Sequence, residues 1–224
     1  MRLITTTDDE LYEAVRVAVR LGRAKPLVDR LNERYQEGWD DPDVSFHYAL
    51  AVMATLHTVQ SDVEGHRCYN ATMEALGDVL SAAPDHWLAR YCRARLRALV
   101  PTGFSAYTMF VEHERTMANE DLKELAARQS GVPWQPYFAA THLQQAFVAS
   151  QAEDWPAVVE LIDQAGAHPP AAVGFRALGA MLCEPFLALY HVVDLDRREV
   201  VGGLMAAMFP NQAAVTAALA QAVR

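Results

Sequence analysis

The sequence predicts an all-α protein, a stack of antiparallel helix hairpins in a right-handed superhelix or compact α–α array. Three observations carry this. Residues 139–172 read as one helix–turn–helix unit: a helix to about Gln151, a turn through Glu153, Asp154, Trp155 and Pro156, and a second helix with Val158, Ile162 and Ala165 on one face. Such a unit cannot bury its apolar side alone, so it implies stacked neighbours. Elsewhere apolar residues recur at helical spacing, and no stretch alternates as a strand does. Gly and Pro stand at 11 each, few enough for long helices, and alanine, the best helix former, is abundant.

The elements follow in order. Thr5, Thr6, Thr7 and Asp8 with Glu10 form an N-cap and acidic first turn, followed by Leu11, Val15, Ala18 and Val19 on one face; Gly22 ends this helix. A second helix starts near Lys25, tolerates Pro26 in its first turn, buries Leu27, Leu31 and Tyr35, and stops at Gly38. After the Asp40–Asp43 cap, residues 44–59 carry Phe46, Leu50, Met53 and Leu56, apolar enough for a central helix. Ser61-Asp62 breaks it. Residues 64–82 turn Met73, Leu76, Val79 and Leu80 inward, and residues 86–99 carry Leu88, Cys92, Leu96 and Leu99. Pro101-Thr102-Gly103 is a turn. Residues 105–129 form one long helix or two meeting near Ala118-Asn119. Beyond the hairpin, residues 173–190 form a helix bent at Pro185, residues 200–208 another, and Pro210-Asn211 starts the last. Residues 1–224 read as a single domain, with a candidate seam near 131–136 at Gly131, Val132 and Pro133.

At 224 residues with 52% hydrophobic and 21% charged side chains, the chain can bury a core without disulfides or metal. The net charge of −9 and pI near 5.3 oppose the phosphate backbone, so no nucleic-acid partner is expected; a basic peptide or protein suits the overall charge better. Cys68, Cys92 and Cys183 lack CxxC spacing and sit among apolar helical residues, which fits a reducing cytoplasm. Residues 1–9 hold no apolar core of a signal peptide. No apolar run reaches membrane-spanning length.

The segment 139–172 resembles a tetratricopeptide repeat, a 34-residue helix–turn–helix unit. Ala146 occupies the small packing position, Trp155 the aromatic turn position, Ile162 the large position of the second helix, Ala165 the small one near its end, and Pro170 the closing proline. Gln145 stands where the family places an apolar residue, Val158 where it places alanine, and Ala149 where it places an aromatic. A second hairpin, 45–84, ends similarly in Leu80-Ser81-Ala82-Ala83-Pro84 but is about 40 residues long. The resemblance implies a superhelical array whose concave face binds peptides or protein segments.

Candidate binding residues come first from the fifth helix. Arg90, Arg93 and Arg97 lie at i, i+3 and i+7 on one face, where guanidinium forks could hold a carboxylate; the plain alternative is a solvated face paired to acids on adjacent helices. Tyr91, with Trp87, would flank that stripe. His142 and Gln145 are further candidates, Gln145 because a polar residue at a core position marks an exception. No two of the eight histidines share metal-ligand spacing, and the chain has neither a G-x-S-x-G elbow nor a Gly-rich phosphate loop, so no metal, cofactor or catalytic residue is expected. Gly202-Gly203 reads as close helix approach. Trp39, Trp87, Trp134 and Trp155 read as plugs between hairpins. The apolar stretch 200–223 either folds back onto the body or forms a homo-dimer surface. Two functions follow: a non-catalytic scaffold for a protein or peptide, or a helical enzyme or small-molecule binder whose enclosed pocket is lined by His47, His57 and Glu114.

Overall fold

A computed structural model describes residues 1–100, 108–168 and 171–222. The turn at Pro101-Thr102-Gly103, the helix start at Ser105, the His57 side chain and Pro169-Pro170 lie outside the described residues. Among the described residues there are eleven α-helices and two 3₁₀ turns, and the single strand-like feature is an isolated bridge between Arg2 and His86. The protein is all-α. It divides into two compact units, Met1–Glu114 and Arg115–Arg224. The division falls inside one helix; the Gly131-Val132-Pro133 punctuation lies within the second unit.

The first unit holds α1 (Thr6–Arg20), α2 (Ala24–Glu37), α3 (Pro42–Thr55), a 3₁₀ turn (Leu56–Thr58), α4 (Asp62–Ala82), α5 (Trp87–Ala98) and the start of α6 (Thr108–Gln129). Local chemistry sets its boundaries. Thr5 and Asp8 form a reciprocal capping box on α1, satisfying two backbone N–H groups that the helix leaves open. Asp41, Ser61 and His86 accept the backbone N–H of Asp43, Glu64 and Ala89 to start α3, α4 and α5. Nine of the fourteen residues of α3 are buried. A helix buried on most faces has to be central, and α3 packs against α1, α2 and α4. Phe46 at its heart is fully buried, worth about 1.5–3 kcal/mol against exposure. Tyr35 of α2 stacks on Tyr48 of α3 at 4.9 Å and donates its hydroxyl to Asp78 of α4. Leu99, expected on the inward face of α5, is 42% exposed, because it stands at the C-cap, beyond the last helical turn.

The second unit holds the rest of α6, which runs unbroken through Ala118-Asn119, a 3₁₀ turn (Pro136–Phe138), α7 (Ala139–Gln151), α8 (Trp155–Gly166), α9 (Ala177–Val192), α10 (Leu195–Met208) and α11 (Ala213–Ala222). Here α7 packs on α8 and α9, and α10 packs on α9 and α8. The α7–α8 connection closes tightly. Glu153 adopts φ 57°, Glu153 N–H donates to Ser150 O, and Asp154 N–H to Ala149 O. This is the paired bonding of a Schellman stop, with glutamate at the left-handed position that glycine usually takes. Pro185 lies inside α9 and is buried. A Cβ on Gly202 of α10 would stand 3.1 Å from the Tyr190 ring and 3.3 Å from Leu219, whereas one on Gly203 would meet nothing. The close approach expected of the glycine pair therefore belongs to Gly202. Of the four tryptophans, Trp87 is a buried plug, while Trp39 is 60% and Trp155 45% exposed.

Candidate functional site

Two arginines of α5, Arg90 and Arg97, are engaged by their own unit. Arg90 donates to the Pro84 carbonyl at 2.8 Å. Arg97 lies 3.3 Å from Glu114, whose same carboxylate oxygen accepts the Tyr69 hydroxyl at 2.8 Å. Arg97 and Glu114 are both largely buried; a charge out of water requires a partner of this kind, and burial together with Glu114 raises the Tyr69 phenol. Arg93 is half-buried. Tyr91 is fully buried and stacks on Trp87 at 5.0 Å and 10°. Its ring belongs to the core of the unit, which corrects the expectation that it flanks an accessible stripe: its position on α5 faces the core that Trp87 and Leu88 also fill.

Of the pocket-lining groups of the enzyme alternative, His47 and Glu114 are likewise engaged. His47 sits 3.7 Å from Asp8. Burial raises the Asp8 carboxyl, but His47, Thr5 and Arg2 outweigh it and hold it below the usual value. His86, fully buried beside Phe46, is pushed down to about 4, by burial first and then by Arg2. Burial pushes the Cys92 and Cys183 thiols up to about 12, which keeps both protonated and poor nucleophiles. Among the described residues, no group of three or more His, Cys, Asp or Glu is arranged to hold a metal, and no helix is long and apolar enough to cross a membrane.

The second unit carries an open groove of about 460 Å³ between α6, α7 and α8. Helical periodicity builds each side. Arg115, Asn119 and Lys123 line it from α6 at i, i+4 and i+8, one face of a helix. Gln145, Val148, Ala149 and Ala152 line it from α7, and Asp154, Ala157, Glu160, Leu161 and Gln164 from the head of α8 onward. The strained Glu153 turn joins the last two walls.

The polar groups of the groove differ in how well they are satisfied. Asp154 accepts the Ala157 N–H, and Glu160 accepts the Gln164 amide at 3.1 Å. Gln145 is 7% exposed and its Oε1 has no hydrogen-bond partner; the buried Nε of Arg115 has none either. Leaving a buried polar atom unpaired costs about 1–3 kcal/mol, so these atoms mark a place where something else can bond. Next to Gln145, α7 continues polar. Gln129 of α6 donates to Thr141 at 2.6 Å, Gln144 is buried with its Nε2 unpaired, and His142 lies beside Gln145. Burial and the charge of His168 push the His142 imidazole below its usual value, against Gln145. His168 stacks under Trp134 at 3.7 Å. A second cavity of about 530 Å³ lies between residues 172–176 and 209–212, but its Gln212 amide is already given to the Arg176 carbonyl.

Of the residues the sequence singles out, the structure brings His142 and Gln145 together on one face of α7, with Gln145 in the groove. Arg115, Asn119 and Lys123 escaped the sequence reading. Their i, i+4, i+8 spacing is a signal, but α6 is polar around most of its circumference and offers no contrast. Comparison with family models, with curated proteins and with solved structures finds no match.

Proposed function

We propose that this chain is a non-catalytic scaffold of stacked helix hairpins, similar in plan to tetratricopeptide arrays, that seats a protein or peptide segment in the α6–α7–α8 groove. The buried Gln145 in the groove, whose Oε1 makes no hydrogen bond of normal geometry, carries the reading. An amide oxygen has two acceptor sites; the His142 ring beside it competes for one, and a passing peptide N–H takes the other. The stacking supports the plan: α7 meets α9 while α8 meets α10, so one hairpin lies against the next as the resemblance implies. The groove is open and lined by small side chains at Ala149, Ala152 and Ala157, which suits a backbone lying close. Exposed Val192, Leu195 and Val200 keep self-association through the C-terminal helices within the reading.

A photo-reactive amino acid at Ala152, on the groove rim, tests it in native lysate. Discrete adducts are expected, and they should be lost when Gln145 is changed to Leu and Lys123 to Glu. The same group at Val63 of α4, which is 82% exposed, serves as the control. Adducts that survive both changes, or none beyond the control, would overturn the assignment.

A further inference from the structure

We propose that the groove selects an extended acidic segment, with acidic side chains four residues apart and a hydrogen-bonding side chain midway. The proposal rests on the binding reading above and names its ligand chemistry. The walls decide the sign. The two acids that line the groove both stand on the α8 wall, Asp154 at its cap and Glu160 beside Gln164. On α6 the cations are open. Arg115 buries an Nε with no partner, and neither Arg115 nor Lys123 makes an ion pair or side-chain hydrogen bond among the described residues. A segment lying along the α6 wall therefore meets two cations and, among the groove-lining residues of that helix, no acid. A carboxylate offers these cations charge-assisted, two-oxygen acceptance. The chain's overall charge of −9 favours basic partners at long range, but screening beyond about 10 Å leaves the choice to groups in contact.

Spacing decides the pattern. Arg115, Asn119 and Lys123 stand one turn apart, about 6 Å per step along α6 at 1.5 Å per residue. An extended chain presents same-side side chains about 6.6 Å apart, at 3.3 Å per residue. A strand laid along α6 thus keeps register over two steps, placing acidic groups at Arg115 and Lys123 and a neutral polar group at Asn119. Its backbone N–H groups turn toward α7, where Gln145 Oε1 waits.

Four blocked peptides test this on the full chain by NMR titration of backbone and Gln side-chain amides. They are Ac-Glu-Ala-Gln-Ala-Glu-NH2, its Gln-for-Glu and Lys-for-Glu counterparts, and Ac-Glu-Glu-Gln-Ala-Ala-NH2. The first should shift the signals of Gln145, Ala149 and Lys123 and bind about tenfold more tightly than the neutral peptide, a preference lost in Lys123→Glu. The fourth should bind more weakly than the first. Equal binding of acidic and neutral peptides in the groove would overturn the acidic preference while leaving the binding reading standing. Tightest binding of the lysine peptide would do the same and reverse the sign. Equal binding of the first and fourth would overturn the four-residue spacing. No groove shift with any peptide would overturn both the preference and the binding reading.

Discussion

Acidification should destabilise the first unit through His86. The imidazole is fully buried. It accepts the Ala89 N–H at the start of α5 through Nδ1, and its Nε2 is buried with no partner. Its folded-state value of about 4 lies below the ordinary 6.5. Between those two values the unfolded chain binds a proton that the folded chain refuses, so stability rises with pH across the window and falls as pH drops through it. The neutral-form advantage is fully present above 6.5 and exhausted below 4. Going from pH 7 to pH 4.5 should remove about 2 kcal/mol through this group alone. His142, also held low, titrates in the same direction, and Asp8 in a lower window, so the contribution of His86 needs a comparison. His86→Asn keeps an N-cap acceptor and removes the titration. Urea denaturation followed by circular dichroism at both pH values should show the parent losing about 2 kcal/mol more than the variant. Equal losses would refute the claim that a buried neutral imidazole links this unit to pH.

Further predictions follow from the packing. Arg97→Ala strands the buried Glu114 carboxylate and should cost about 3 kcal/mol in urea denaturation. Gly202→Ala forces a methyl against Tyr190 and Leu219 and should lower stability by about 1–3 kcal/mol, while Gly203→Ala, with open space around it, should raise it by about 0.5–1 kcal/mol; thermal melts of the pair discriminate. Glu153→Gly relieves a left-handed glutamate and should stabilise by about 0.5–1 kcal/mol. Leu195→Asp, at an exposed position, should leave the monomer folded and sediment more slowly than the parent; equal coefficients would remove self-association through Leu195.

Helix existence was legible along the whole described chain because each helix carries its own evidence. Thr5 and Asp8 cap α1, Asp41 and Pro42 open α3, and Pro84-Asp85 separates α4 from α5, all through bonds spanning a few residues. Periodicity also marked Phe46, Leu76, Leu88 and Ile162 as core, since burial of one face leaves a 3.6-residue imprint. Where spacing was the sole guide to function, it marked a shared face and left the partners on that face open. Arg90, Arg93 and Arg97 share a face, yet Pro84 and Glu114 occupy two of them, and Tyr91 turns to the core. Gln145 was legible as a polar residue at an apolar position.

The sequence by itself thus determined an all-helical chain, its turns and most of its core, because hydrogen bonds within a helix and the apolar stripe along it are local properties. Tertiary structure alone decided which polar groups are spent and which stay open. That Glu114 meets Arg97, or that Arg115 and Gln145 face one groove, depends on contacts between residues far apart in the chain, and no local pattern encodes them.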